Sequence, residues 1–262
     1  MIYFLSDCHL GAGTMDNPLE FERRVVRFLD SIEHDCEELY LLGDIIDYWF
    51  EFKHVVPRGF TRFLGKLALM SDHGVKIHWF TGNHDIWIFD YLPNEIGCPI
   101  HRKAEVMNIK GKKVFIAHGD GLGEDSKTLT FMQRFFRNRL CQKMFSWIHP
   151  DITTGLAHYW SKKSRLNGNK FPDYMGEQKE HLVQYAKREM QQGNEYDYFI
   201  FGHRHIMLDL MLSRLTRIVI LGDWINHFSY AMMDDQGNLS LEQFEYPEYE
   251  EESRNGVSIA LF

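Results

Sequence analysis

Short apolar runs punctuate the chain, and each stops abruptly at polar residues. Ile2–Leu5 runs into Ser6-Asp7-Cys8-His9, Leu39–Leu42 into Gly43-Asp44, and Val75–Phe80 into Thr81-Gly82-Asn83-His84-Asp85. Val114–Ala117 runs into His118-Gly119-Asp120, Tyr198–Phe201 into Gly202-His203-Arg204-His205, and Ile218–Leu221 into Gly222-Asp223-Trp224. The runs are rich in Ile, Val, Phe and Tyr, as buried strands are. Helical periodicity fills the early gaps. Asn17-Pro18 opens a helix with proline at its first position, and Val25, Phe28, Leu29 and Ile32 then recur at helical spacing. Phe60, Phe63, Leu64, Leu67 and Met70 form a second stripe, with Gly74 as its stop. Strand–helix–strand alternation predicts an α/β fold on parallel strands. Val106–Ala117, turning at Lys110-Gly111, and Tyr230–Phe244, turning at Gln236-Gly237-Asn238, read as hairpins, so the sheets are expected to be mixed.

Residues 121–192 lack a strand-like run. Helical patterns surround 127–147 and 176–192, with Ser161–Pro172 read as a loop between them. The predicted organisation is therefore a core of 1–120 and 193–262 carrying a helical cap insertion at 121–192. With 262 residues, 44% hydrophobic and 25% charged, the chain is long enough to bury a core without disulfide or structural metal. No apolar run reaches the ~18 residues of a membrane span, and the start Met1–Asp7 lacks a basic, apolar leader. Four scattered cysteines, Cys8, Cys36, Cys98 and Cys141, suit free thiols in a cytoplasmic setting. The net charge of −8 argues against general nucleic-acid binding.

That charge is unevenly spread. Nine Lys and Arg between Ser126 and Lys170 (Lys127, Arg134, Arg137, Arg139, Lys143, Lys162, Lys163, Arg165, Lys170) face one acid, Asp151. Phe131, Phe135, Phe136, Leu140, Met144, Phe145 and Trp147 interleave with them. Such a segment suits a bilayer interface or a lipid tail, and its cations suit diphosphate oxygens; helix-on-core packing and a solvated loop are the plainer alternatives. The stretch 234–254 is acidic and reads as a solvated surface.

In open α/β sheets, ligands bind beyond the carboxyl ends of strands. Here those ends carry Asp7, His9, Asp44, Asn83, His84, His118, His203 and His205. All are oxygen or imidazole donors, suited to Mn, Fe, Zn or similar divalent ions, and none is the thiolate of a structural zinc site. Asp7-x-His9 and His203-x-His205 are expected to project pairs of side chains to one side of extended segments. Cys8, between the first pair, then points into packing. Trp49 and Trp224 read as core aromatics.

The ordered set Asp-x-His, Gly-Asp, Gly-Asn-His-Asp, His-Gly-Asp and Gly-His-x-His resembles the calcineurin-like metallophosphoesterase superfamily, over residues 1–120 and 197–224. The resemblance implies two packed mixed β-sheets flanked by helices. It implies that Asp7, His9, Asp44 and His205 hold one metal, and that Asp44, Asn83, His118 and His203 hold a second, with Asp44 bridging. It also implies that His84 hydrogen-bonds the phosphate and protonates the leaving oxygen, with Asp85 orienting a neighbouring ligand or His84. Gly43–Trp49, Ser161-Lys162-Lys163-Ser164 and Leu221–Trp224 are similar to the UDP-2,3-diacylglucosamine hydrolase branch. That likeness implies manganese, attack of a metal-bound hydroxide on a pyrophosphate to give UMP and 2,3-diacylglucosamine 1-phosphate in lipid A synthesis, and peripheral contact with the cytoplasmic face of the inner membrane. Asn83, His84, Lys162, Lys163 and Arg165 are the expected substrate-binding residues. The branch carries Arg where His84 stands, and continues its Gly-His-Thr-His block into Arg-Pro where this chain has Ile206-Met207. A phosphodiesterase or phosphatase for a soluble nucleotide or phosphoprotein is the alternative enzyme. A metal-binding scaffold without catalysis is the alternative from another class.

Overall fold

The alternation of inward and outward side chains along each strand builds a four-layered sandwich. The computed structural model describes residues 1–13, 17–123, 135–167 and 173–244. The first sheet contains β1 (Ile2–Leu5), β2 (Glu38–Leu42), β3 (Lys76–Phe80), β4 (Ile100–His101), β10 (Ser229–Met233) and β11 (Leu239–Gln243), in the order β11-β10-β1-β2-β3-β4. β1 to β4 pair in parallel, and β10 runs antiparallel to β1. The second contains β5 (Glu105–Ile109), β6 (Lys112–Ala117), β7 (Tyr198–Phe201), β8 (Met207–Met211) and β9 (Arg217–Leu221), in the order β5-β6-β7-β9-β8. Its centre, β6-β7-β9, is parallel and its edges antiparallel. Both expected hairpins form, as β5–β6 and β10–β11.

Ile2, Phe4, Tyr40, Leu42 and Phe80 face Val114, Ile116, Ile200, Val219 and Leu221 across the space between the sheets. The alternate residues of the first sheet, Tyr3, Leu5, Leu39, Leu41 and Trp79, turn outward onto α1 (Pro18–Ile32) and α2 (Thr61–Asp72). Pro18 follows the N-cap Asn17, whose side chain accepts from the Glu20 amide, as the sequence predicts. Phe115, Phe199, Phe201, Ile218 and Ile220 of the second sheet bury Leu182, Val183 and Ala186 of a helix at His181–Gln191. That helix lies within the expected cap insertion, but it joins parallel β6 to parallel β7 and packs on their sheet, as a crossover helix does.

The remaining helices are α3 (Tyr91–Ile96), α4 (Arg139–Phe145) and α5 (Pro150–Asn167), with α6 the helix at His181–Gln191. The loop expected from Ser161 is helical as far as Asn167. Nothing in Ser161–Asn167 breaks a helix, and the first breaker is Gly168. Lys127, Phe131, Arg134, Lys170 and the acidic stretch beyond Phe244 lie outside the described residues.

One buried acid ties the helical layer together. α2 begins at Phe60, which gives no side-chain cap. Glu22 of α1 supplies it: its Oε1 accepts the Arg62 and Phe63 amides at 2.9 and 3.0 Å. A carboxylate at the positive end of a helix satisfies orphan donors and the helix dipole together. Glu22→Ala is expected to lower unfolding free energy by about 1–2 kcal/mol, read by urea denaturation, with Glu22→Gln keeping part of it.

Candidate metal centre

The carboxyl ends of β1, β2, β3, β6, β7 and β9 bring the polar blocks together where the two sheets meet. Past the end of β1, Asp7 N donates to Gly43 O at 3.1 Å and His9 N to Asp44 O at 2.8 Å. Across the seam, His203 N donates to Asp7 Oδ2 at 2.8 Å, and His118 Nδ1 meets Leu42 O at 2.7 Å. The loops must approach closely. A Cβ on Gly82 would sit 2.2 Å from Asp44 Oδ1, and one on Gly202 only 1.8 Å from Ser6 Oγ.

Asp7, His9, Asp44, His203 and His205 all have positive φ, from 47° to 67°. This departs from the expected extended Asp-x-His and His-x-His segments. β1 and β7 have already ended, and left-handed residues turn the side chains inward at local strain. Cys8 points into the core, as expected, and Trp49 and Trp224 are fully buried.

Three overlapping clusters result: Asp7, His9 and His205; His9, Asp44 and His84; and Asp44, His118 and His203. Within each, one donor atom per residue lies within 4.8 Å of the others. Asp44 and His9 each belong to two clusters. Asn83, an exposed residue, lies on the same loop as His84. The residues fit a pair of divalent cations. Asp7 Oδ1 and His118 Nε2 are buried without a hydrogen-bond partner, and buried polar atoms rarely stay so. Burial and neighbouring His118 push His203 down to about 3, so it is the neutral imidazole that ligation requires. Although burial opposes it, His118 and then His84 hold Asp44 well below the usual carboxylate range. Against burial, Asp44 pulls His118 well above the usual histidine range.

Other side chains orient the donors. Asp223, fully buried, accepts from His205 Nδ1 at 2.9 Å and also meets His227 Nδ1 and the Asn226 amide. Against burial, His205 and His227 hold it below the usual range. Asp47 lies 3.2 Å from His9 Nδ1 and accepts from Ser161 Oγ of α5 at 2.7 Å. Its backbone oxygen meets His84 Nδ1 at 2.9 Å. Such partners fix tautomer and ring orientation. Neither Asp47 nor Asp223 was singled out from sequence, although each stands in a quoted motif. The signal was there for Asp223, a third strand-end Gly-Asp pair like Gly43-Asp44.

Asp85 holds the loops that carry two of the expected ligands, Asp44 and Asn83. Its carboxylate accepts from Gly82 N at 2.7 Å, Ile45 N at 3.0 Å and Trp79 Nε1 at 3.3 Å. Burial and Asp44 push it up to about 6. It clamps the backbones of two loops behind the site, and no hydrogen bond joins it to His84. Of the expected substrate-binding residues, Lys163 is exposed on α5, and the side chains of Lys162 and Arg165 lie outside the described part.

Removing the charge that anchors His205 tests this arrangement. Asp223→Asn is expected to weaken Mn binding by about 10–100-fold, measured by competition with a fluorescent chelator, at a secondary-structure content equal to wild type.

Comparison with known proteins agrees with this geometry. The family described as calcineurin-like phosphoesterase matches residues 1–207. A UDP-2,3-diacylglucosamine hydrolase of Porphyromonas gingivalis is 44% identical over 245 residues, 89% of this chain and 94% of that protein. Proteins of the same name from Haemophilus influenzae and Neisseria gonorrhoeae are 26% and 28% identical, over 90% and 89% of this chain and 95% and 93% of theirs. With the strand-end donors gathered as that family's motif order implies and the match spanning most of the sequence, the chain belongs to the calcineurin-like phosphoesterase family.

Proposed function

We propose that this chain hydrolyses the pyrophosphate of UDP-2,3-diacylglucosamine, giving UMP and 2,3-diacylglucosamine 1-phosphate. The observation that carries the reading is 44% identity, across nearly the whole of both chains, to a protein named for that activity. The convergence of carboxylate and imidazole donors supports it.

In this reading Asp7, His9, Asp44 and His205 hold one divalent ion, and Asp44, Asn83, His118 and His203 the other, with manganese preferred. When bound, such a pair supplies Lewis acidity toward phosphoryl oxygens and an activated water. The chain's own residues do the rest. Asp223 and Asp47 keep His205 and His9 in register, and burial keeps His203 neutral. His84, lowered by burial, has Nδ1 engaged by Asp47 O, which leaves Nε2 as the atom to bond phosphate and pass a proton to the leaving oxygen. Lys162, Lys163 and Arg165, which follow Ser161 on α5, are further proposed substrate-binding residues.

The cap is the proposed home of the acyl chains. Phe145 of α4 packs 5.0 Å from Phe50 and 4.9 Å from Trp87, and Trp87 Nε1 donates to Phe136 O at 2.9 Å. This seats aromatic rings three residues along the chain from His84. Leu140, Met144, Trp147, Ile148, Ile152 and Tyr159 are exposed beside Arg139 and Lys143. Apolar groups rimmed by cations suit peripheral contact with an anionic lipid surface. No helix among the described residues is long and apolar enough to cross a membrane.

The Mn-loaded protein is expected to release UMP from UDP-2,3-diacylglucosamine in detergent micelles. Asp44→Asn and His118→Ala are each expected to lower kcat/KM by more than about 100-fold. Turnover of soluble short-chain phosphodiesters with none on the acylated sugar nucleotide would overturn the substrate while leaving the reaction type.

A further inference from the structure

Between the core and α4 opens a cavity of about 720 Å³, with Thr81 at the end of β3 on its wall. Among the described residues, Lys53, Arg102, Lys103, Arg137, Arg139 and Lys143 line it, with two acids, Glu51 and Asp90. Glu51 is already engaged. Its Oε2 accepts the amides of Phe89, Asp90 and Tyr91 at 2.6 to 3.0 Å, and its Oε1 the Trp49 indole at 3.1 Å. A smaller cavity of about 170 Å³ shares Thr81, Arg102, Lys103 and Arg137 with the first, and continues to His118 and Asp120. The two therefore form a cationic trough that leads from the metal centre toward the cap.

The cations are positioned rather than merely numerous. Arg102 Nη2 donates to Ile88 O at 2.7 Å, and Arg137 Nη2 to Asp120 Oδ2 at 3.2 Å. Burial lowers Arg102, and Arg139 adds to it, against the pull of Glu51. Like charges held together disfavour one another, and an anion relieves them. Guanidinium forks match phosphate oxygens.

We infer that this trough is a second anion subsite, taking a phosphate group adjacent to the one at the metal centre, so that the site selects diphosphate over monophosphate esters. The inference rests on the proposed reading of the metal centre as a phosphate site. Its chemical value is clear for an anhydride. The oxygen of water bonds to the attacked phosphorus, and its proton is released. The bond from that phosphorus to the bridging oxygen breaks, and the electron pair leaves with the second phosphate. Charge thus develops on the group the trough holds, and fixed cations there stabilise it.

The test is equilibrium binding of UDP and of UMP to the Mn-loaded full chain, by calorimetry. In the wild type UDP is expected to bind at least about 10-fold more tightly than UMP. In Arg102→Gln/Lys103→Gln that advantage is expected to shrink below about 3-fold, with the loss falling on UDP. Lys103→Gln alone gives a smaller loss in the same direction without touching the Arg102–Ile88 bond. A UDP advantage that survives the double substitution, an equal loss for both nucleotides, or no advantage in the wild type overturns the subsite. Neither nucleotide carries an acyl chain and no turnover is read. Failure to hydrolyse the acylated sugar nucleotide would therefore remove the proposed substrate and leave this result standing.

Discussion

Two buried carboxylates linked through His9 set the terms for the rest of the molecule. Asp7 is 0% exposed and Asp44 2%, and each charge disfavours the other. A buried ion costs several kcal/mol even after its surroundings relax. Such a pair persists only where positive charge is supplied, and the surrounding imidazoles cannot all supply it. His203 is held neutral by burial and by His118, whereas Asp44 pulls His118 toward its charged form against burial. Asp7 Oδ1 and His118 Nε2, buried without a hydrogen-bond partner, are atoms that a cation would satisfy.

The same demand explains the backbone. Of the eight non-glycine residues with positive φ among the described residues, five are Asp7, His9, Asp44, His203 and His205. Left-handed residues of this kind cost about 1–3 kcal/mol each and survive only where surroundings dictate them. Here the surroundings are the two sheets themselves. The Trp224 amide donates to Asp7 O, the His203 amide to Asp7 Oδ2, and His118 meets Leu42 O. The polar loops act as bolts between sheets whose facing sides are otherwise apolar. Stability and function therefore draw on the same few residues. Asp85 stiffens the backbone that presents these donors.

Strands and donors were legible in the sequence because both are local signals. A run such as Val114–Ala117 declares a buried strand by its composition, and its abrupt end at His118 declares a site at the strand's carboxyl end. How the donors turn inward was not legible, because alternation along a strand and a left-handed turn both place residues i and i+2 near one another. The orienting acids were hidden for a different reason. Asp47 and Asp223 matter through partners at long sequence separation, Ser161 and His205; that pairing leaves no mark in spacing, although the strand-end Gly222-Asp223 pair was itself a signal for Asp223. α6 was assigned to the cap for want of a strand between 121 and 192. Its stripe of Leu182, Val183 and Ala186 is equally consistent with a crossover helix, and only the position of β7 decides between them.

The whole-chain charge is a poor guide to what this surface attracts. The net of −8 includes carboxylates that face a metal site and acids remote from it, whereas Arg102, Lys103, Arg137, Arg139 and Lys143 line the trough. At physiological ionic strength exposed charges are screened beyond about 8 Å. A phosphate at the mouth of the site therefore responds to the trough and not to the sum. The metal centre adds to the same field once its carboxylates are neutralised. The cationic trough is thus a directional feature, drawing an anionic group toward the metal centre. It also lets one chain combine an overall negative charge, which keeps copies apart in solution, with a local preference for polyanions.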